Sequence, residues 1–267
     1  MRVALFVVSI IFFSSIIPVR ADAPDMRILY LVSKILEKLP DAPYTRQALG
    51  HTEERESRAS AHAVAIVAAA DHYEAEWLEF AKKARWVYFD PARDLPALIA
   101  AVAYHESSFR SVVRLDDNSL TTKAPLKGRA DMGVLQVRAP STLAKNCGVI
   151  EKADVKRLVE DLDFAYMTGT CILTRMVGSY LPMYTSAVYT RMHRTERPDY
   201  DLYFFGLRGR RKDTFEALRA RELLVIERYN WGNNDLYLHP THAGYARRVL
   251  KSFEFFDMRH ISREDLI

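Results

Sequence analysis

Hydrophobic positions fall at helical rather than strand spacing over most of this chain. The segment "RILYLVSKILEKL" (27–39) carries one apolar stripe and stops at Pro40. "RASAHAVAIVAAADHY" (58–73) is alanine-rich and compatible with helix throughout, and "AEWLEFAKKARWVYF" (75–89) predicts a third helix. In "LPALIAAVAYHESSFRS" (95–111), Leu95, Leu98, Ile99 and Val102 keep the spacing of one helix face, and the next step of four lands on Glu106. Asp94 stands where it would cap this helix, with Pro96 in the first turn, where a missing N–H costs no hydrogen bond.

Periodicity is lost after Phe109. "DDNSLTTKAPLKGRADMG" (116–133) is polar and rich in turn formers, which predicts a loop with at most a small hairpin. A helix restarts at Ser141 after Pro140, another covers Asp163 to Leu181, and two more are expected over 214–229 and 241–256. The stretch 182–213 is irregular, aromatic and basic. Strand signals are weak throughout, so the expected fold class is mainly α.

The first 21 residues change how the rest is read. Arg2 supplies a positive start, Val3 to Val19 an apolar run, and Val19-Arg20-Ala21 a small-residue cleavage site, the pattern of a signal peptide. The expected organisation is a signal peptide over 1–21, a helical N-terminal extension over 22–90, a main domain over 91–256 and a tail over 257–267. Export places the protein in the periplasm or outside the cell, as a monomer with no membrane span once the signal is removed. Composition agrees with a packed globular protein, at 49% hydrophobic and 27% charged. The formal charge is +4; without Arg2 and Arg20, 36 basic residues stand against 34 acidic ones, a net +2. That mild excess suits an anionic polymer without identifying one. Cys147 and Cys171, an even count in an oxidising compartment, favour a disulfide, although spacing alone leaves two buried free thiols open.

A carboxylate ending an apolar stripe has two readings. A helix-end Glu can simply reach solvent or pair with an Arg, and Arg110 is four residues on. Alternatively, partial burial keeps a proton on the acid near neutral pH and makes it a general acid. Four motifs bear on the choice: Glu106-Ser107-Ser108-Phe109, Gly133-Val134-Leu135-Gln136, Pro140-Ser141-Thr142 and Tyr229-Asn230, followed by "HAGYARRVL" (242–250). In this order they resemble the catalytic domain of the soluble lytic transglycosylases, related to goose-type lysozyme, over about residues 92 to 252. Val134 and Leu135 replace the family's usual Leu-Met, and Arg228 stands where it has Ala. The resemblance implies a lysozyme-like, mainly helical domain acting on peptidoglycan glycan strands without a cofactor. Glu106 would be its acid and base, and the product would be a 1,6-anhydro-muramyl end. It also implies substrate contacts from Ser107, Gly133, Leu135, Gln136, Tyr229 and Asn230.

Other chemistry is less well supported. Asp116, Asp117 and Asp131 follow Glu106 and would supply a second carboxylate to a hydrolase, though such residues more often form turns. His105-Glu106 lacks the second histidine of a zinc-protease motif, since Phe109 occupies its place; His239 and His242 read as polar surface, so no metal is expected. "RGRRK" (208–212) fits peptidoglycan carboxylates or a membrane surface better than nucleic acid in an exported protein. A muramidase using water, or a non-catalytic peptidoglycan-binding or assembly protein, are the alternatives on the same fold.

Overall fold

The computed structural model describes residues 25–39, 52–84, 86, 89–115, 120–121, 130–184 and 243–261. Over these the chain is mainly helical. The helices are α1 (Met26–Lys38), α2 (Thr52–Ala84), α3 (Pro91–Ser107), α4 (Thr142–Asn146), α5 (Lys152–Glu160), α6 (Leu162–Tyr184) and α7 (Ala243–Phe255). Between α3 and α4 run β1 (Val113–Arg114), β2 (Leu120–Thr121), β3 (Ala130–Met132) and β4 (Val137–Ala139), an antiparallel sheet in the order β2-β1-β3-β4. The signal segment, the helix expected over 214–229, Tyr229-Asn230, Asp116, Asp117, His239, His242 and the basic run 208–212 lie outside the described residues.

Helix α2 merges the two helices expected over 58–73 and 75–89 into one of 33 residues. Nothing in "DHYEAE" breaks a helix, and the alanines before it have the highest helix propensity. The α2 face is fixed by α6: buried Trp77 donates from Nε1 to Thr174 Oγ1 at 2.9 Å, and Phe80 packs where a side chain on Gly178 would stand.

Helix α3 starts four residues before the expected cap. Its N-cap is Asp90 with Pro91 as the first helical residue, and Pro96 lies inside the helix. Asp94 does act on the helix start, but from within: its buried carboxylate accepts the Asp90 backbone N–H at 2.7 Å. Ser141 caps α4 as expected, accepting from the Ala144 N–H. The sheet corrects the expectation of at most a small hairpin. Its strands of two or three residues are too short for alternation to register in sequence.

Two apolar clusters meet at α6. The larger joins α1, α2, α3 and α7 to α6, and includes Val134 and Leu135. The smaller gathers Val113, Ala130, Met132, Val137 and Ala139 from the inner sheet face, with Ala144, Leu158 and Ile172 of α4, α5 and α6. The Cys147–Cys171 disulfide (Cα–Cα 5.8 Å) ties the end of α4 to the middle of α6. Among the described residues no helix is long and apolar enough to cross a membrane.

Candidate active site at the end of α3

The apolar stripe buries α3 from Leu95 to Ala103, and exposure begins with Tyr104. Glu106, half-buried, therefore stands where the helix emerges from the core. The backbone beyond it is unusual. Ser108 and Phe109 both adopt the left-handed conformation, with φ of 53° and 59°. For two consecutive residues with side chains, one of them bulky, this is strained backbone held by its surroundings. The holder is Phe109, 1% exposed, whose ring meets His62 edge-on at 5.5 Å and Phe256 at 5.8 Å. The chain thus reverses sharply after Ser107 and returns as β1, where Arg114 Nη2 donates to the Glu106 carbonyl at 2.9 Å.

The turn Gly133–Gln136 between β3 and β4 packs against this helix end. The Ser107 hydroxyl lies 2.8 Å from the Val134 carbonyl and 3.1 Å from that of Ala103, and accepts from the Arg110 N–H at 3.2 Å. The two sequence motifs around Glu106 and Gly133 are therefore in hydrogen-bonded contact. Ser107, expected at the substrate, has its hydroxyl against backbone groups here.

Each residue of the turn has an internal partner. Gly133 has φ +73°, and a Cβ there would run into the Leu158 carbonyl of α5, so only glycine fits. The element this glycine lets approach is α5. Leu135, 2% exposed, packs onto Gly169 of α6, where any side chain would displace it. Gln136 is buried, at 8% exposed, and its φ is 49°. Its Nε2 donates to the Val112 and Gly133 carbonyls at 3.1 and 2.8 Å, stitching the turn to the segment before β1. Two acceptors on one side fix the amide orientation. Oε1 is thereby turned to a buried position with no hydrogen-bond donor among the described residues.

Two guanidiniums that the sequence reading did not single out, Arg114 and Arg248, lie at this helix end. His105 receives a hydrogen bond at Nε2 from Arg248 Nε of α7 at 3.4 Å. Burial, with the Arg248 and Arg114 charges behind it, brings the His105 pKa down to about 4, so the imidazole beside Glu106 is neutral at pH 7. Asp131 pairs across the strands with Arg138 at 3.3 Å, so this candidate for a second carboxylate already serves an ion pair. Behind the site, Tyr166 of α6 is fully buried, and its hydroxyl is hydrogen-bonded to Nδ1 of His62 at 2.9 Å. Burial chiefly, then the Arg58 charge, pulls the His62 pKa to about 4, against a hydrogen bond to the Phe109 backbone acting the other way. A lone histidine among alanines gave no sign of this link, because its partners lie on other elements. Among the described residues no group of three or more His, Cys, Asp or Glu side chains gathers as a metal site. Compared with known proteins, the chain matches no family model, no curated protein and no solved structure.

Proposed function

We propose that the protein is an exported peptidoglycan lytic transglycosylase on a lysozyme-like fold, with Glu106 as its acid and base. The observation that carries the reading is the Ser107–Val134 hydrogen bond, which joins the helix end bearing Glu106 to the Gly133–Gln136 turn. Residues 27 positions apart in sequence, singled out as separate motifs, meet at one place. Strained backbone at Ser108, Phe109 and Gln136 clusters there too, as it does at functional sites.

In this reading Glu106 gives its proton to the glycosidic oxygen between the muramyl sugar and the next glucosamine. As that bond breaks, the N-acetyl group of the muramyl sugar assists at the anomeric carbon. The carboxylate then takes the proton of the same sugar's C6 hydroxyl, whose oxygen closes the 1,6-anhydro ring. The proton is returned and no water is consumed, so a single carboxylate suffices. Gln136 and Gly133 shape the wall of the cleft through backbone contacts, and Tyr229 and Asn230 complete the site by resemblance to the family. Export is supported by the signal-like N-terminus and by a disulfide that an oxidising compartment sustains.

The test is release of soluble fragments from insoluble peptidoglycan by the mature protein and by Glu106→Gln. Release by the first and loss of at least about a hundredfold in the second is expected, the order of a general acid's contribution. Equal release by both would remove Glu106 from the chemistry. Wall binding without release by either would favour the binding protein.

A further inference from the structure

We propose that the outward face of the sheet binds the carboxylates of the peptides carried on the muramyl sugars, with Arg138 as its exposed contact. This rests on the reading of Glu106 as acting on peptidoglycan. The strand registers place Arg114, Asp131 and Arg138 in one row: Arg114 pairs with Asp131, and Asp131 pairs with Arg138. Side chains alternate along a strand, so these three share the face opposite Val113, Ala130, Met132, Val137 and Ala139. The inner face is the lobe's core; the outer one carries two guanidiniums to one carboxylate.

The row begins beside the backbone of Glu106. Arg114 donates to the Glu106 carbonyl, and neighbouring strands about 4.8 Å apart put the Arg138 backbone roughly 10 Å further along. In this proposal a peptide hanging from the sugar at Glu106 leaves across this row. Such peptides carry free carboxylates at intervals, and a guanidinium is the side chain whose paired N–H groups match a carboxylate. The Asp131–Arg138 pair does not obstruct this. Arg138 meets both Asp131 oxygens at 3.3 Å and its side chain is 50% exposed, a long and solvated pair that a ligand carboxylate can exchange with.

The experiment is sedimentation of the mature chain with insoluble peptidoglycan, either intact or stripped of its peptides by an amidase. All variants carry Glu106→Gln so that the wall is not consumed. Arg138→Glu and Arg138→Ala should weaken binding to intact wall by roughly fivefold or more at low salt and leave binding to stripped wall unchanged. Asp131→Asn should strengthen binding to intact wall only. Unchanged binding to intact wall in both Arg138 variants, or an equal loss on both walls, would overturn the proposal. Fragment release by the chain with Glu106 in place reads the transglycosylase separately: release that survives alongside unchanged Arg138 binding rejects the row alone, whereas neither release nor binding rejects both.

Discussion

Gly133 and Gly148 both hold positive φ, at +73° and +94°, yet their surroundings differ. A Cβ on Gly133 meets the immobile Leu158 backbone carbonyl, whereas on Gly148 it finds only the Phe164 ring at 4.0 Å. Gly148→Ala should therefore cost about 1 kcal/mol, the left-handed penalty alone, and Gly133→Ala about 3 kcal/mol, because the turn or α5 must also move. Urea unfolding of the two variants checks the order. Gly133→Ala should also lower activity, since the displaced turn is hydrogen-bonded to the Ser107 hydroxyl. Of this site, sequence carried the acid, the glycine and the apolar character of Val134 and Leu135. It did not carry what Ser107 and Gln136 do, because both act on carbonyls brought near only by folding. A polar residue beside a catalytic motif looks the same in sequence whether it faces substrate or backbone.

Between elements, the buried His62–Tyr166 hydrogen bond joins α2 to α6 directly behind Phe109. The folded chain holds this histidine neutral down to about pH 4, while in the unfolded chain it takes a proton near pH 6.5. The unfolded state therefore binds more protons between those values, and stability falls as pH drops through that window. The stabilisation is fully present above about pH 6.5, and its loss approaches roughly 3 kcal/mol at pH 4. His105 acts in the same direction, with a smaller share because it is partly open to solvent. Denaturant unfolding at pH 7.5 and 4.5 should show this decline in the wild type, and a much flatter response in His62→Gln. An equal slope in both would show that other groups govern it. The long helices were legible because their stripes run for several turns. The start of α3 was misplaced because Asp94 caps from inside the helix, a role it shares in sequence with a true N-cap. Helix α5 was missed for its length of nine residues, although Asp154 accepts the Glu151 N–H as in a capping box. The sheet was missed because its longest strands have three residues.

At the scale of the whole molecule, the candidate site lies at the seam between two apolar clusters. Met132 and Val137 belong to the smaller one, while Val134 and Leu135 between them belong to the larger. The turn bearing Gln136 is thus held from both sides, and α6 is the element both clusters share. The Cys147–Cys171 bond closes a loop of 24 residues beside the smaller cluster, so replacing both cysteines by serine should cost about 3 kcal/mol. A fall in the urea midpoint by that cost divided by the m-value is expected, with activity surviving where the fold does. A cost near zero would mean that packing alone holds the smaller lobe. Helices α1 and α2 share the larger cluster with α3, so Glu106 depends for its placement on residues well before its own helix.

The most direct test of the account is the mass of the sugar ends left on purified peptidoglycan by the mature protein. The account predicts 1,6-anhydro-muramyl ends, lighter by one water than reducing ends, and none of them from Glu106→Gln. Reducing ends would contradict it: water would be the acceptor, and a second carboxylate such as Asp131 would have to leave Arg138 to activate it.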